Sequence, residues 1–99
     1  MVWLERGDDR SGLSHILRAG RIRDFARRGV AYADIPRLAV RAATHGTWLG
    51  QVREGGDAYD VDLGGGRSVK VVVVVGSNGY IVSAYPLSAR TESLLEKDR

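Results

Sequence analysis

The side chains best suited to chemistry are few: an imidazole at His15, an ammonium at Lys70, a hydroxyl at Ser83 and a phenol at Tyr85. Three of them lie in one stretch, Ser68 to Leu87. There, five consecutive valines, Val71 to Val75, lead into Gly76-Ser77-Asn78-Gly79, and a β-rich run, Tyr80 to Tyr85, leads out to Pro86. An Asn-Gly pair between β-branched and aromatic runs is the strongest local signal for a hairpin. With Asn78-Gly79 as a two-residue turn, Val72 stands opposite Tyr85 and Val74 opposite Ser83. With Ser77-Asn78 as the turn, Lys70 stands opposite Tyr85 and Val72 opposite Ser83. Because side chains alternate along a strand, both registers put Lys70, Ser83 and Tyr85 on one face. An amine, a hydroxyl and a phenol on one face suit an anionic ligand.

The elements that must carry these groups can be read from periodicity. Ser11 can cap a helix whose apolar positions Leu13, Ile16 and Leu17 follow helical spacing. Gly20 weakens it, and Ile22, Phe25 and Ala26 continue it or form a second turn before Arg28-Gly29. His15 sits at the edge of the apolar ridge, on a side shared with Ser11, Arg18, Ala19 and Ile22. Asp34 is expected to cap a second helix with Pro36 in its first turn, Leu38, Ala39 and Ala42 facing inward, and His45-Gly46 at its end. His45 there suits the helix dipole better than catalysis.

From Thr47 the period turns extended. Trp48 to Arg53 and Tyr59 to Leu63 read as strands around a Gly55-Gly56 turn, and the hairpin supplies two more. Gly64-Gly65-Gly66 is a connection rather than a phosphate loop, because valines follow it instead of a helix. Ser88 to Arg99 is expected to form a short terminal helix around Leu94 and Leu95. The result is an α+β domain, two N-terminal helices packed on a four-stranded antiparallel sheet. The valine run does not alternate, so it should be covered on most of both faces. Val71, Val73 and Val75 with Tyr80, Val82 and Ala84 are expected to meet the helices, leaving the face of Lys70, Ser83 and Tyr85 open.

Composition bounds the function. Ninety-nine residues allow one domain, 1–99, with its core over about 11–87. Without cysteine there is neither a disulfide nor a thiolate metal site, two histidines are few for zinc, and no cofactor or metal is expected. The longest apolar run is far too short for a membrane span, and Met1 to Leu4 does not read as a signal peptide. Residues 12–41 hold seven arginines against Asp24 and Asp34, a balance of +5, which leaves −2 for the rest of a chain of net charge +3. A basic helical half suits a polyanion such as RNA, although arginines also solvate short helices. Trp48 and Tyr59 have ring faces that could stack on bases, and they serve equally well as core aromatics.

Two segments together carry a family resemblance. Gly12-Leu13-Ser14-His15-Ile16-Leu17-Arg18-Ala19-Gly20, then Asp24-Phe25, is closed far downstream by Val75-Gly76-Ser77-Asn78-Gly79-Tyr80-Ile81-Val82-Ser83-Ala84-Tyr85-Pro86. This resembles the phage and polymorphic-toxin ribonucleases of the BECR superfamily, the group of barnase, EndoU, colicin and RelE nucleases. Their pattern is approximately G-L-x-H-I-hydrophobic-x-x-H-G early and V-G-x-N-G-[FY]-I-V-[TS]-A-[YF]-P late. The resemblance spans about residues 12–87. It departs at one place: Ala19 stands where the pattern has its second histidine. Either a natural variant has lost a catalytic group, or a histidine was replaced to make a poisonous protein tolerable to its host; we favour replacement.

The resemblance implies metal-independent cleavage of RNA, transfer RNA among the expected targets, by attack of a ribose 2′-hydroxyl on the adjacent phosphate. It implies His15 and position 19 as proton-transfer groups, with Lys70, Ser83 and Tyr85 supplying charge and hydrogen bonds to the phosphate. Arg18, Lys70 and Trp48 would hold the RNA. With Ala19, the chain as it stands is expected to be disabled. The resemblance further implies an effector piece of a larger secreted or phage-associated polypeptide, delivered into a target-cell cytoplasm, and a cognate immunity protein that covers the basic cleft with acidic residues. The alternative is a non-catalytic RNA-binding or protein-interaction domain of the same fold.

Overall fold

The computed structural model describes residues 19–53 and 55–97. Helix α1 (Ala19–Ala26), a 3-10 turn (Tyr32–Asp34) and α2 (Ile35–His45) precede four strands, β1 (Thr47–Gln51), β2 (Asp57–Gly64), β3 (Arg67–Val75) and β4 (Ile81–Pro86), and a single helical turn, α3 (Ala89–Glu92). The strands form an antiparallel meander in the order β1-β2-β3-β4. The domain is thus α+β. The helix start at Ser11, with His15 and Arg18, lies outside the described residues.

The end of α1 follows from its sequence. Gly29 takes a left-handed φ of +80°. The amide of Val30 reaches back to the Phe25 carbonyl at 3.0 Å, and that of Gly29 to Ala26 at 3.0 Å. This is the glycine-terminated helix stop that satisfies the last carbonyls, and it carries the usual apolar contact, here Val30 with Phe25. Phe25 is fully buried. Helix α2 buries Ile35, Leu38, Ala39 and Ala42. Asp34 does not cap it: the residue has helical dihedrals at the end of the 3-10 turn and makes no capping hydrogen bond. A capping side chain reaches the first amides from an extended conformation, which that turn precludes.

Between β3 and β4, residues 76–80 form a hairpin connection whose turn, Ser77-Asn78-Gly79, is closed by Gly76 and Tyr80. Gly76 donates to the Tyr80 carbonyl at 2.8 Å and accepts from Gly79 at 2.9 Å, with Gly79 at φ +89°. A bulge in β4 then adds one residue between the Val75↔Ile81 and Val74↔Ser83 pairs. Beyond the bulge the pairing is that of the Asn78-Gly79 alternative, with Val72 opposite Tyr85. The extra residue also inverts side-chain parity near the turn. Ile81 is fully buried against the helices, whereas Val82 and Tyr80 are only half-buried and Val75 is exposed, which corrects the expected helix-facing set.

The main core lies between the helices and one sheet face: Phe25, Ile35, Leu38, Ala39 and Ala42 meet Val61, Val69, Val71, Val73, Ile81 and Ala84. The opposite face is not left open, as the helix–sheet layout had suggested. Val52, Ala58, Val72 and Leu87, with Leu49, Tyr85 and Leu95, form a second cluster there. Its cover is the C-terminal segment, which does not continue as the expected helix. Ser88 caps α3 through a bond from the Thr91 amide, and the helix ends at Glu92. Glu96 then pairs with Gln51 in both directions, N···O 2.6 and 2.9 Å, on the edge of β1. An edge strand offers unpaired amides and carbonyls, and a chain end able to reach them gains more than a frayed helix would.

Gly50 makes this docking possible. A Cβ there would stand 2.8 Å from the Leu95 Cβ and 3.1 Å from the Glu96 carbonyl oxygen. Gly50→Ala is therefore expected to cost about 1–3 kcal/mol and to detach the segment from β1. Amide exchange read at Gln51 and Glu96 checks this: the variant should lose protection there and keep it in β3. Among the described residues no helix is long and apolar enough to cross a membrane.

Candidate functional site

Strands β3 and β4 hold the sequence-derived residues on one face. Tyr85 pairs with Val72 and Ser83 with Val74, so Lys70, two residues before Val72, shares their side of the sheet. Leu87 extends the ladder by donating to the Lys70 carbonyl at 3.0 Å. Helix α1 packs against β4, an edge strand, through the core on the other side of the sheet. Arg21 nevertheless meets Tyr85: its guanidinium carbon sits 4.6 Å from the centre of the ring. Such a cation–π contact contributes on the order of 1 kcal/mol at a half-exposed site, and it holds a cation at the phenol.

Around this pair opens a cleft of about 510 Å³, lined by Arg21, Val52, Arg53, Tyr85, Thr91 and Leu94. Val52 and Tyr85 form its apolar floor, the α3 segment one wall, and two arginines its charge. Arg53 also lies 3.8 Å from Glu96, but both groups are largely exposed, so that pairing does little to hold the guanidinium. A cleft with two cations and a phenol over an apolar floor suits an anion joined to a flat or apolar group.

The structure separates Lys70 from this cleft. Its ammonium donates to Glu92 Oε2 at 2.6 Å, above the neighbouring surface. The Lys70 pKa is raised from 10.5, first by that hydrogen bond, then by the charge of Glu92, with Asp60 adding and desolvation opposing. Asp60 faces Lys70 across the β2–β3 pair, and its Oδ1 is buried without a hydrogen-bond partner. A raised lysine pKa means that the lysine's share of stability is complete below 10.5 and is lost as pH rises through the higher folded value. Alkaline titration should therefore loosen the α3 segment in the parent chain and change Lys70→Met less over the same range. Melting temperature against pH measures this, and parallel curves would refute it.

Trp48 lies elsewhere. It pairs with Tyr59 on the helix-facing side of the sheet, and its indole N–H donates to Asp57 Oδ1 at 2.9 Å. Ser83 is half-buried on β4 and does not line the cleft. His45 ends α2, with Nδ1 2.8 Å from Thr44 Oγ1, also away from the cleft. Ala19 lies in α1, two positions before Arg21, and His15 and Arg18 fall outside the described residues. Thus the structure brings Tyr85 and Arg21 of α1 together, pairs Lys70 with Glu92, and sets Trp48 on the far face.

Sequence reasoning did not select Arg21, Arg53, Thr91 or Glu92. Arg21 was one of seven arginines in the basic half, and nothing local distinguishes it. Its role depends on the angle at which α1 crosses β4. No family model and no curated protein matches the chain.

Proposed function

We propose that this chain is an RNA-cleaving toxin domain of BECR type, with two N-terminal helices against a four-stranded antiparallel sheet, in a form disabled at position 19. The observation that supports this reading best is the arginine-crowned phenol: α1, which includes Ala19, puts Arg21 over Tyr85 beside a cleft with a second cation, Arg53. In the active form His15 and a histidine at position 19 divide two proton transfers. One accepts the 2′-hydroxyl proton as the O2′–P bond forms; the other protonates the leaving 5′-oxygen as the P–O5′ bond breaks. Arg21 and Arg53 stabilise the added charge on phosphorus, and Tyr85 donates a hydrogen bond to it. Transfer RNA is the first substrate class to try. An acidic immunity protein, a parent polypeptide and delivery into a target cytoplasm belong to the same reading.

A second reading is favoured by one observation. The cation on the β3–β4 face, Lys70, is already neutralised by Glu92, as in a domain that keeps the fold and binds RNA without cutting it. Ala19→His decides between them. Incubated with total RNA in EDTA, the substituted chain should give discrete fragments that disappear on His15→Ala. Folded protein that binds RNA at low salt and never cuts it would establish the binding domain instead.

A further inference from the structure

On the helix side of the molecule, away from the Tyr85 cleft, three more arginines converge. Arg37 and Arg41 stand one turn apart on the exposed side of α2, and Arg67 opens β3. All three line one recess of about 300 Å³ floored by Val30 and Leu38. Among the described residues, neither Arg37 nor Arg41 has an ion-pair or hydrogen-bond partner. Arg67 is held in place: its Nη2 donates to the Gly29 carbonyl at 3.0 Å, and the guanidinium occupies the space a side chain at Gly29 would fill. The recess has one opposing charge, Asp34, which makes no helix-capping bond.

Like charges one turn apart repel, and a third cation adds to that cost. Arg67 ties β3 to the turn at Gly29, but among the described residues Arg37 and Arg41 make no ion pair or hydrogen bond that would offset the repulsion. An anion in the recess would turn the repulsion into attraction, with guanidinium forks matched to phosphate oxygens. The recess is at the small end of ligand-site volumes and large enough for a sugar–phosphate unit.

We propose that Arg37, Arg41 and Arg67 form a second phosphate-binding site that grips the backbone of an RNA strand remote from the Tyr85 cleft. This rests on the RNA reading above and deepens it: the substrate is an RNA long enough to reach both sites, and Asp34 tempers the grip.

The test is binding of labelled transfer RNA across a series of KCl concentrations. Removing the three cations together (R37A, R41A and R67A) should weaken binding on the order of tenfold or more at low salt and flatten the slope of log affinity against log salt by about 2–3. A control lacking Arg23, Arg27 and Arg90, exposed arginines that line neither recess, should lose far less. Asp34→Asn keeps every arginine and should tighten binding a few-fold, so the site stays testable if the triple variant does not fold. Equal losses in both triples, or no change in the groove triple or in Asp34→Asn while the parent binds RNA, would overturn the second site and leave the RNA reading standing. A parent chain that binds polyglutamate but no RNA at the lowest salt would overturn both.

Discussion

Ala19→His is expected to raise RNA cleavage by about 10²–10⁴-fold over the chain as it stands. The magnitude follows from what one positioned proton-transfer group contributes. Position 19 belongs to helix α1, which packs against β4, so an imidazole there joins the element that already delivers Arg21 to Tyr85. Of two histidines acting as base and acid, one must be neutral and the other protonated, so the rate should rise and fall with pH around the ordinary histidine value of about 6.5. EDTA should leave it unchanged. Arg21→Ala in the Ala19→His background should lower the gained rate, because it removes the cation at the phenol. A gain that vanishes in EDTA, or that survives His15→Ala, would contradict the proposed chemistry.

The largest stability effect should come from Phe25→Ala. Phe25 is 0% exposed and joins both helices to β2, β3 and β4 through one core cluster. Truncating such a side chain costs about 3–5 kcal/mol, a large part of the total of about 5–15 kcal/mol expected for a small domain. The urea midpoint should fall by roughly 2–3 M. The same measurement tests the β4 bulge. Ile81→Ala should cost about 2–5 kcal/mol and Val82→Ala much less, since Ile81 faces the core and Val82 is only half-buried. Equal costs would mean that the register near the turn is not as described.

These two residues show where sequence reading reached its limit. Ile81 and Val82 are adjacent, both β-branched, and equally good strand formers. Choosing which one is buried needs the count of residues between the turn and the first regular pair. The bulge changes that count by one, and strict alternation then places the wrong residue inside.

By itself the sequence determined the helix ending at His45 ahead of the four strands, the stop at Arg28-Gly29, the meander and its central hairpin. It also determined the burial of the valine strand on both faces and the common face of Lys70, Ser83 and Tyr85. These are local properties: φ preferences of glycine, the two periodicities of apolar residues, and the pairing that a short turn imposes. Only the tertiary structure decided what that common face meets. Glu92 claims Lys70, Leu95 and Glu96 close over Val72 and the edge of β1, and Arg21 of α1 meets Tyr85. Each joins residues about 20 to 60 positions apart, where neither propensity nor periodicity has a say. What selects them is the packing of α1 on β4 and of the last turn on β1, which depends on shape and burial summed over the whole domain.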